Sequence, residues 1–145
     1  MELNMKKNYF IIALAMILML LSLTSCSGGI KGDEVKTLTA DFFGAVRAED
    51  WASAKTYLHP ALDDLDLKTY FLEVEEAYGL DFQEAFKVER YTGFHTSFYS
   101  SEVDGSSYTL TMEATAGENP FLLEITVVRN DAGYGIYYIE IAEDK

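Results

Sequence analysis

A chain of 145 residues fits one domain and, with a leader set aside, is still long enough for a single hydrophobic core. Aromatic residues make up 14% of it, ten Tyr and nine Phe among them, a supply of large apolar side chains that excludes an acidic disordered polymer. A formal net charge of −13 repels phosphate backbones and anionic headgroups, which excludes nucleic-acid binding and membrane adsorption by charge; it reads as a source of solubility that keeps the body off the membrane, with a cationic partner or ligand as the alternative.

The chain opens with Lys6 and Lys7, then an unbroken apolar run from Tyr9 to Leu21. That run is shorter than the ~20 residues of a membrane span and matches the hydrophobic region of a signal peptide. Met5, directly before the lysines, is an alternative start. The next residues, Leu23, Thr24, Ser25 and Cys26, resemble the lipobox of bacterial lipoproteins. The resemblance implies cleavage before Cys26 and diacylglycerol on its thiol. It also implies residence on the outer face of the cell membrane, or facing the periplasm in an envelope with two membranes. An uncleaved anchor is the competing reading, because no charge falls between Lys7 and Lys31. Two acyl chains bury methylenes at ~0.8 kcal/mol each, so such anchoring requires no protein contact with the bilayer. The expected organisation is a signal peptide over 1–25, a lipidated cysteine and tether over 26–32, and one domain over 33–145.

Within that domain Asp33 is the expected cap of a first helix, in which Val35, Leu38, Phe42 and Val46 recur at helical spacing. Asp50 caps a second, with Trp51, Ala54, Tyr57 and Leu58 on one face until Pro60 stops it. Leu67, Phe71, Val74 and Tyr78 mark a third from about Asp66, closed by Gly79 in a left-handed conformation. Beyond Gly79 the period changes. Phe86, Val88 and Arg90 begin an alternating stretch, Gly93 suggests a bulge, and Phe94, Thr96 and Phe98 resume on one face. Asp104 and Gly105 signal a two-residue hairpin, followed by Tyr108, Leu110, Met112 and Ala114 alternating with polar neighbours. Turns at 117–120 and 130–133 set off a strand over 121–128 and a last one over 134–142, where Tyr137, Ile139 and Ile141 oppose Tyr138 and Glu140. The fold class is therefore α+β: three N-terminal helices packed on an antiparallel sheet of about four strands.

The stretch Val35 to Pro60, with Phe42, Phe43, Trp51, Ala54, Tyr57, Leu58 and Pro60, is similar to the opening helices of the nuclear transport factor 2-like superfamily, in particular its small membrane-anchored bacterial members. A cystatin-like sheet with packed helices is the nearest alternative. The resemblance implies a curved sheet forming a cone, often with an apolar pocket at its wide end, and it leaves function open, because members of the superfamily range from isomerases to ligand binders and accessory domains. Its ketosteroid isomerase type uses a tyrosine of the first helix as oxyanion donor. Phe42 and Phe43 stand in that helix here, so that chemistry lacks its donor.

No catalytic set emerges from spacing. His59, before Pro60, reads as an imidazolium at a helix end, and His95 as a strand residue on the outer face or at a pocket rim. A histidine with Asp63 or Asp64 is an acid/base pair only if the loop after Pro60 folds over the pocket, and no nucleophile or second orienter is spaced to complete it. Asp63, Asp64 and Asp66 resemble the start of a calcium loop, yet neither its glycine nor its closing glutamate follows; they read as an acidic helix start. Two histidines and one cysteine give no zinc-ligand spacing and no intramolecular disulfide. Neither a metal nor a cofactor is expected. Tyr57, His59, Tyr70 and Tyr99 are the expected pocket residues. The expected function is a non-enzymatic module that binds a small apolar ligand or an envelope protein, with a homodimer as an option. A small lyase, isomerase or hydrolase and a scaffold component of an envelope assembly are the alternatives.

Overall fold

The computed structural model of the protein describes residues 29–144, so the leader and Cys26 lie outside the described residues. Helices α1 (Gly32–Arg47), α2 (Trp51–Lys55) and α3 (Leu67–Tyr78), with a 3-10 turn at Pro60–Leu62, precede strands β1 (Phe86–Ser100), β2 (Gly105–Ala116), β3 (Asn119–Asn130) and β4 (Gly133–Glu143). The strands form one antiparallel meander in the order β1-β2-β3-β4.

Local chemistry sets most helix ends. Asp50 accepts from the Ser53 N–H and Asp66 from the Thr69 N–H, each at 3.1 Å, which satisfies donors that the first turn of a helix leaves over. Gly79, at φ 66°, closes α3 as its spacing predicts. The start of α1 differs from expectation. Lys31 holds the cap position, its N–H donating to Glu34 Oε2 at 3.0 Å, and Asp33 falls inside the first turn. Ile30 is already buried, so the packed chain begins within the stretch expected to be tether.

Helix α2 was expected to continue to Pro60 and ends at Lys55. Its continuation is recruited by β4: the Ile136 N–H donates to Tyr57 O and the His59 N–H to Ile136 O, both at 2.8 Å. Gly135 permits this approach, since a Cβ there would lie 2.6 Å from His59 N and from Leu58 C. The backbone that would have closed another helical turn instead forms a parallel bridge between Leu58 and Ile136.

The core lies between the helices and one face of the sheet. Phe42, Phe43 and Val46 of α1 and Phe71 of α3 meet Leu110, Met112, Phe121, Leu123 and Ile125, all nearly inaccessible to water. Phe43 stacks on Phe86 at 4.2 Å, and Phe82, in the connection after α3, packs edge-on against Phe71 at 4.9 Å. The register explains which strand residues converge: Leu110 faces Ile125, Met112 faces Leu123, and Ala114 faces Phe121. The opposite face is mainly polar, interrupted by exposed Leu122 and Tyr138, with Thr109 and Thr126 hydrogen-bonded across strands at 2.7 Å.

Three details of the sheet depart from the pattern of alternation. Asp104 does take positive φ, 51°, but Gly105 is already in β2, paired with Ser100, where a Cβ would collide with the Arg129 carbonyl. In β4 the register shifts so that Thr126 faces Tyr138 while Val127 faces Ile136, leaving Tyr137 as an extra residue. The inner face of β4 is thus Ile136, Ile139 and Ile141, and Tyr137 does not continue their row. The expected bulge at Gly93 coincides with a register shift between Tyr91 and Gly93. Finally, the sheet is neither closed nor strongly curled, which corrects the cone that the family resemblance implied. Its two central strands pair without interruption from Gly105 opposite Asn130 to Ala116 opposite Asn119, so they contain no bulge to bend them. β1 and β4 remain edges.

Candidate functional site

A groove of about 630 Å³ opens between the first turns of α1, the end of α2 and the β3–β4 turn. Leu38, Tyr57 and Tyr134 supply its apolar surface, and Asp33, Glu34 and Asp41 its carboxylates. Helical spacing puts Glu34, Leu38 and Asp41 on one side of α1, three and four residues apart. Glu34 is engaged on both oxygens: Oε2 accepts from the Lys31 N–H, and Oε1 lies 3.7 Å from the Arg129 guanidinium. That guanidinium also sits over the Tyr134 ring, 4.7 Å from its centroid. Asp33 and Asp41 have no ion-pair partner among the described residues. Burial, then the nearby Glu34 carboxylate, raises the Tyr134 hydroxyl above the ordinary tyrosine value, while Arg129 opposes the shift. The groove thus combines an apolar surface with a negatively charged rim.

At the β3–β4 turn that borders it, one side chain ties three loops together. Asn130 Oδ1 accepts from the Ala132 N–H at 3.0 Å and the Gly133 N–H at 3.2 Å, holding the β3–β4 turn. The same oxygen lies 2.9 Å from His59 Nε2, and Asn130 Nδ2 donates to Val103 O at 2.8 Å in the β1–β2 loop. His59 is 1% exposed. Its Nδ1 accepts from the Ala61 N–H at 3.1 Å, so the proton sits on Nε2 and is donated to Asn130. The neutral ring packs edge-on against Tyr137 at 5.4 Å. This replaces the imidazolium at a helix end that the sequence suggested: the helix stops before reaching His59, and both ring nitrogens are used in holding loops. The arrangement fixes the backbone at 57–59, and with it the Tyr57 side of the groove.

The four residues expected around one pocket are placed in four settings. Tyr57 lines the groove. His59 is buried outside the groove lining, with no open nitrogen. Tyr70 lines a second depression of about 370 Å³ between α3 and β4, with Val74, Tyr78 and Ile139. Its hydroxyl is pushed up to about 12, by burial first and then by Glu140. Tyr99 is exposed on the β1–β2 hairpin, its hydroxyl donating to Asp104 Oδ1 at 2.8 Å. His95 is exposed on β1, and Asp63 and Asp64 are exposed beside the 3-10 turn. From the sequence Leu38 reads only as part of the apolar face of the first helix, and nothing singles out Arg129, Asn130 or Tyr134. Asn130 stood inside a correctly placed turn, and only its position opposite His59, 71 residues away, reveals its role.

Among the described residues, no three His, Cys, Asp or Glu side chains are grouped to hold a metal ion, and no helix is long and apolar enough to cross a membrane. No protein-family model matches the chain, and no curated protein or solved structure is significantly similar to it.

Proposed function

We propose that the protein is an exported lipoprotein, anchored by acyl chains on Cys26 to the outer face of a membrane, whose domain is a non-enzymatic binding module. The observation that carries the binding role is the groove, in which Leu38, Tyr57 and Tyr134 offer apolar surface beside two carboxylates without ion-pair partners. Such a surface suits a ligand or peptide segment that joins an apolar group to a cationic one. A hydrolase or lyase reading has less support, because the histidine nearest the groove has both nitrogens committed to Asn130 and Ala61. The anchoring half of the reading rests on the basic start, the apolar run and the Leu23–Cys26 motif. Kinship with the nuclear transport factor 2-like superfamily belongs to the same proposal; the helix-first order and the burial of Phe42, Phe43 and Leu58 support it.

Native mass spectrometry of the chain released from the membranes of its host tests the groove. A ligand or protein segment that stays bound, and is lost from the Leu38→Asp variant, is the expected result. A bare monomer from both chains rejects the binding role.

A further inference from the structure

The helices leave the outer half of β1 uncovered. Phe94, Phe98 and Tyr99 are 72%, 77% and 66% exposed, the three most accessible large apolar side chains among the described residues. Phe94 lies opposite Leu110, a core residue, so it belongs to the helix-facing side of the sheet at a position that no helix reaches. Its ring stacks on Tyr108 with centroids 6.1 Å apart. Large aromatic side chains left in water mark a contact site, and the register shift between Ser97 and Ser100 sets Phe98 and Tyr99 together opposite the single residue Ser106.

Two observations choose the occupant. The edge of β1 is poorly suited to strand addition, because register shifts at Val88/Arg90, Tyr91/Gly93 and Ser97/Ser100 interrupt its regular spacing. And the chain enters the domain across this patch: a Cβ on Gly29 would lie 2.9 Å from the Phe98 ring, and one on Gly32 2.7 Å from the Tyr108 hydroxyl. Three peptide units join Cys26 to Gly29, which even fully extended reach about 11 Å. A thiol carrying acyl chains is therefore held close to the exposed rings.

We propose that Phe94, Phe98 and Tyr99 form a membrane-contact face that docks on the lipid surface beside the acylated cysteine and fixes the orientation of the domain. The proposal rests on the lipoprotein reading above. Phenyl rings take the acyl boundary and a tyrosine the headgroup level, which suits two Phe and one Tyr whose hydroxyl stays hydrogen-bonded to Asp104. Glu102 and Asp104 beside the patch, and the acidic body behind it, make the contact apolar in origin and keep it shallow. The contact is accordingly insensitive to salt.

The test uses the full chain, made in a bacterium that processes lipoproteins and reconstituted into phosphatidylcholine vesicles, with the mass of the amino-terminal peptide reporting lipid on Cys26. Phe98→Trp in a Trp51→Phe background is the probe, and Tyr138→Trp in the same background, on the opposite face of the sheet, is the control. Brominated phosphatidylcholine is expected to quench the tryptophan at 98 with a blue-shifted emission and to leave the one at 138 unquenched. Hydroxyl-radical footprinting of the unsubstituted chain on vesicles provides a readout without substitutions: Phe98 is expected to lose its oxidation relative to Tyr138, although it is 77% exposed in the domain against 44%. Lipid on Cys26 with both tryptophans unquenched and Phe98 oxidised overturns the docking face and leaves the lipoprotein reading standing. Protection of Phe98 without quenching, accompanied by a cross-linked dimer, overturns it in favour of a second copy. An unmodified Cys26 removes the lipoprotein reading and the docking face with it.

Discussion

β1 and β3 are written in the same alphabet, aromatic and aliphatic residues alternating with polar ones, and they end in opposite environments. Phe121, Leu123, Ile125 and Val127 of β3 are all at most 1% exposed, while Phe94 and Phe98 of β1 exceed 70%. β3 is flanked by β2 and β4 and covered by the helices; β1 has a neighbour on one side only, and α1 crosses only its first half. Alternation therefore specifies a strand and its two faces, and burial is decided by which neighbours arrive. The difference separates what holds the fold from what is left for contact.

The most direct way to break the comparison is to remove one ring from each strand. Phe121→Ala opens a cavity beneath Phe82 and Phe86 and is expected to cost ~3–5 kcal/mol in urea unfolding followed by Trp51 fluorescence. Phe98→Ala removes surface that is already wet and should stay within ~0.5 kcal/mol. Equal losses at the two positions would mean that the outer half of β1 is part of the core.

A smaller effect is expected at Asn130, which links the covered part of the sheet to the β1–β2 loop. Asn130→Ala leaves the buried His59 Nε2–H without a partner, which costs ~1–3 kcal/mol, and also removes the donor to the carbonyl of half-buried Val103. Amide exchange should quicken at Ala132 and Gly133, whose N–H groups lose the same acceptor, and remain slow along the β2–β3 ladder. A uniform loss of protection would show instead that Asn130 supports the whole fold.

Helices and sheet were legible to different degrees, for physical reasons. The Asp50 cap and the Gly79 closure are local, decided within a turn, and both stand where the spacing placed them. α2 shows the limit. Nothing in the stretch from Trp51 to Pro60 announces that Ile136, far along the chain, will take the Tyr57 carbonyl and end the helix early. The extra residue at Tyr137 belongs to the same case, since an alternating run reads equally well with or without a bulge until its partner strand is known. The groove follows suit: Tyr57 was named from its aromatic character, but Leu38, Arg129 and Tyr134 meet it only because α1 and the β3–β4 turn lie side by side. Curvature was the least legible feature, because it depends on bulges in the central strands, and β2 and β3 have none between them.

Acid sharpens the comparison from the helical side. Hydrogen bonds from Ser53 hold the Asp50 carboxyl below its ordinary 3.8, and hydrogen bonds from Thr69 do the same for Asp66. A carboxyl depressed in the folded state contributes stability that is complete above the unfolded value and is lost as pH falls through the folded one. Stability should therefore decline below about pH 4, and the decline should be shallower in the Asp50→Asn, Asp66→Asn double variant, read as urea midpoints against pH. An unchanged acid slope would mean that the two caps exert no pH-dependent hold on α2 and α3.

The smallest and most discriminating effect lies at the alkaline end, where one tyrosine reports from each half of the molecule. Tyr70, against Phe71 and β4, is pushed up to about 12, chiefly by burial; Tyr99, on the uncovered hairpin, is raised first by its hydrogen bond to Asp104. For Tyr70 the folded value exceeds the unfolded 10.0, so its contribution to stability is complete below pH 10 and is lost as pH rises toward 12, when the unfolded chain sheds the proton first. Tyr70→Phe should flatten that part of the stability curve. Asp104→Asn should shift only the Tyr99 phenolate transition, read by ultraviolet difference titration, toward the ordinary tyrosine value while the Tyr70 transition holds its place. The two causes part cleanly because one is the packing of a covered surface and the other a single exposed hydrogen bond. A Tyr70 transition that moved with Asp104→Asn would show the hairpin and the α3–β4 depression to be coupled, against the division drawn between the covered and uncovered parts of the sheet.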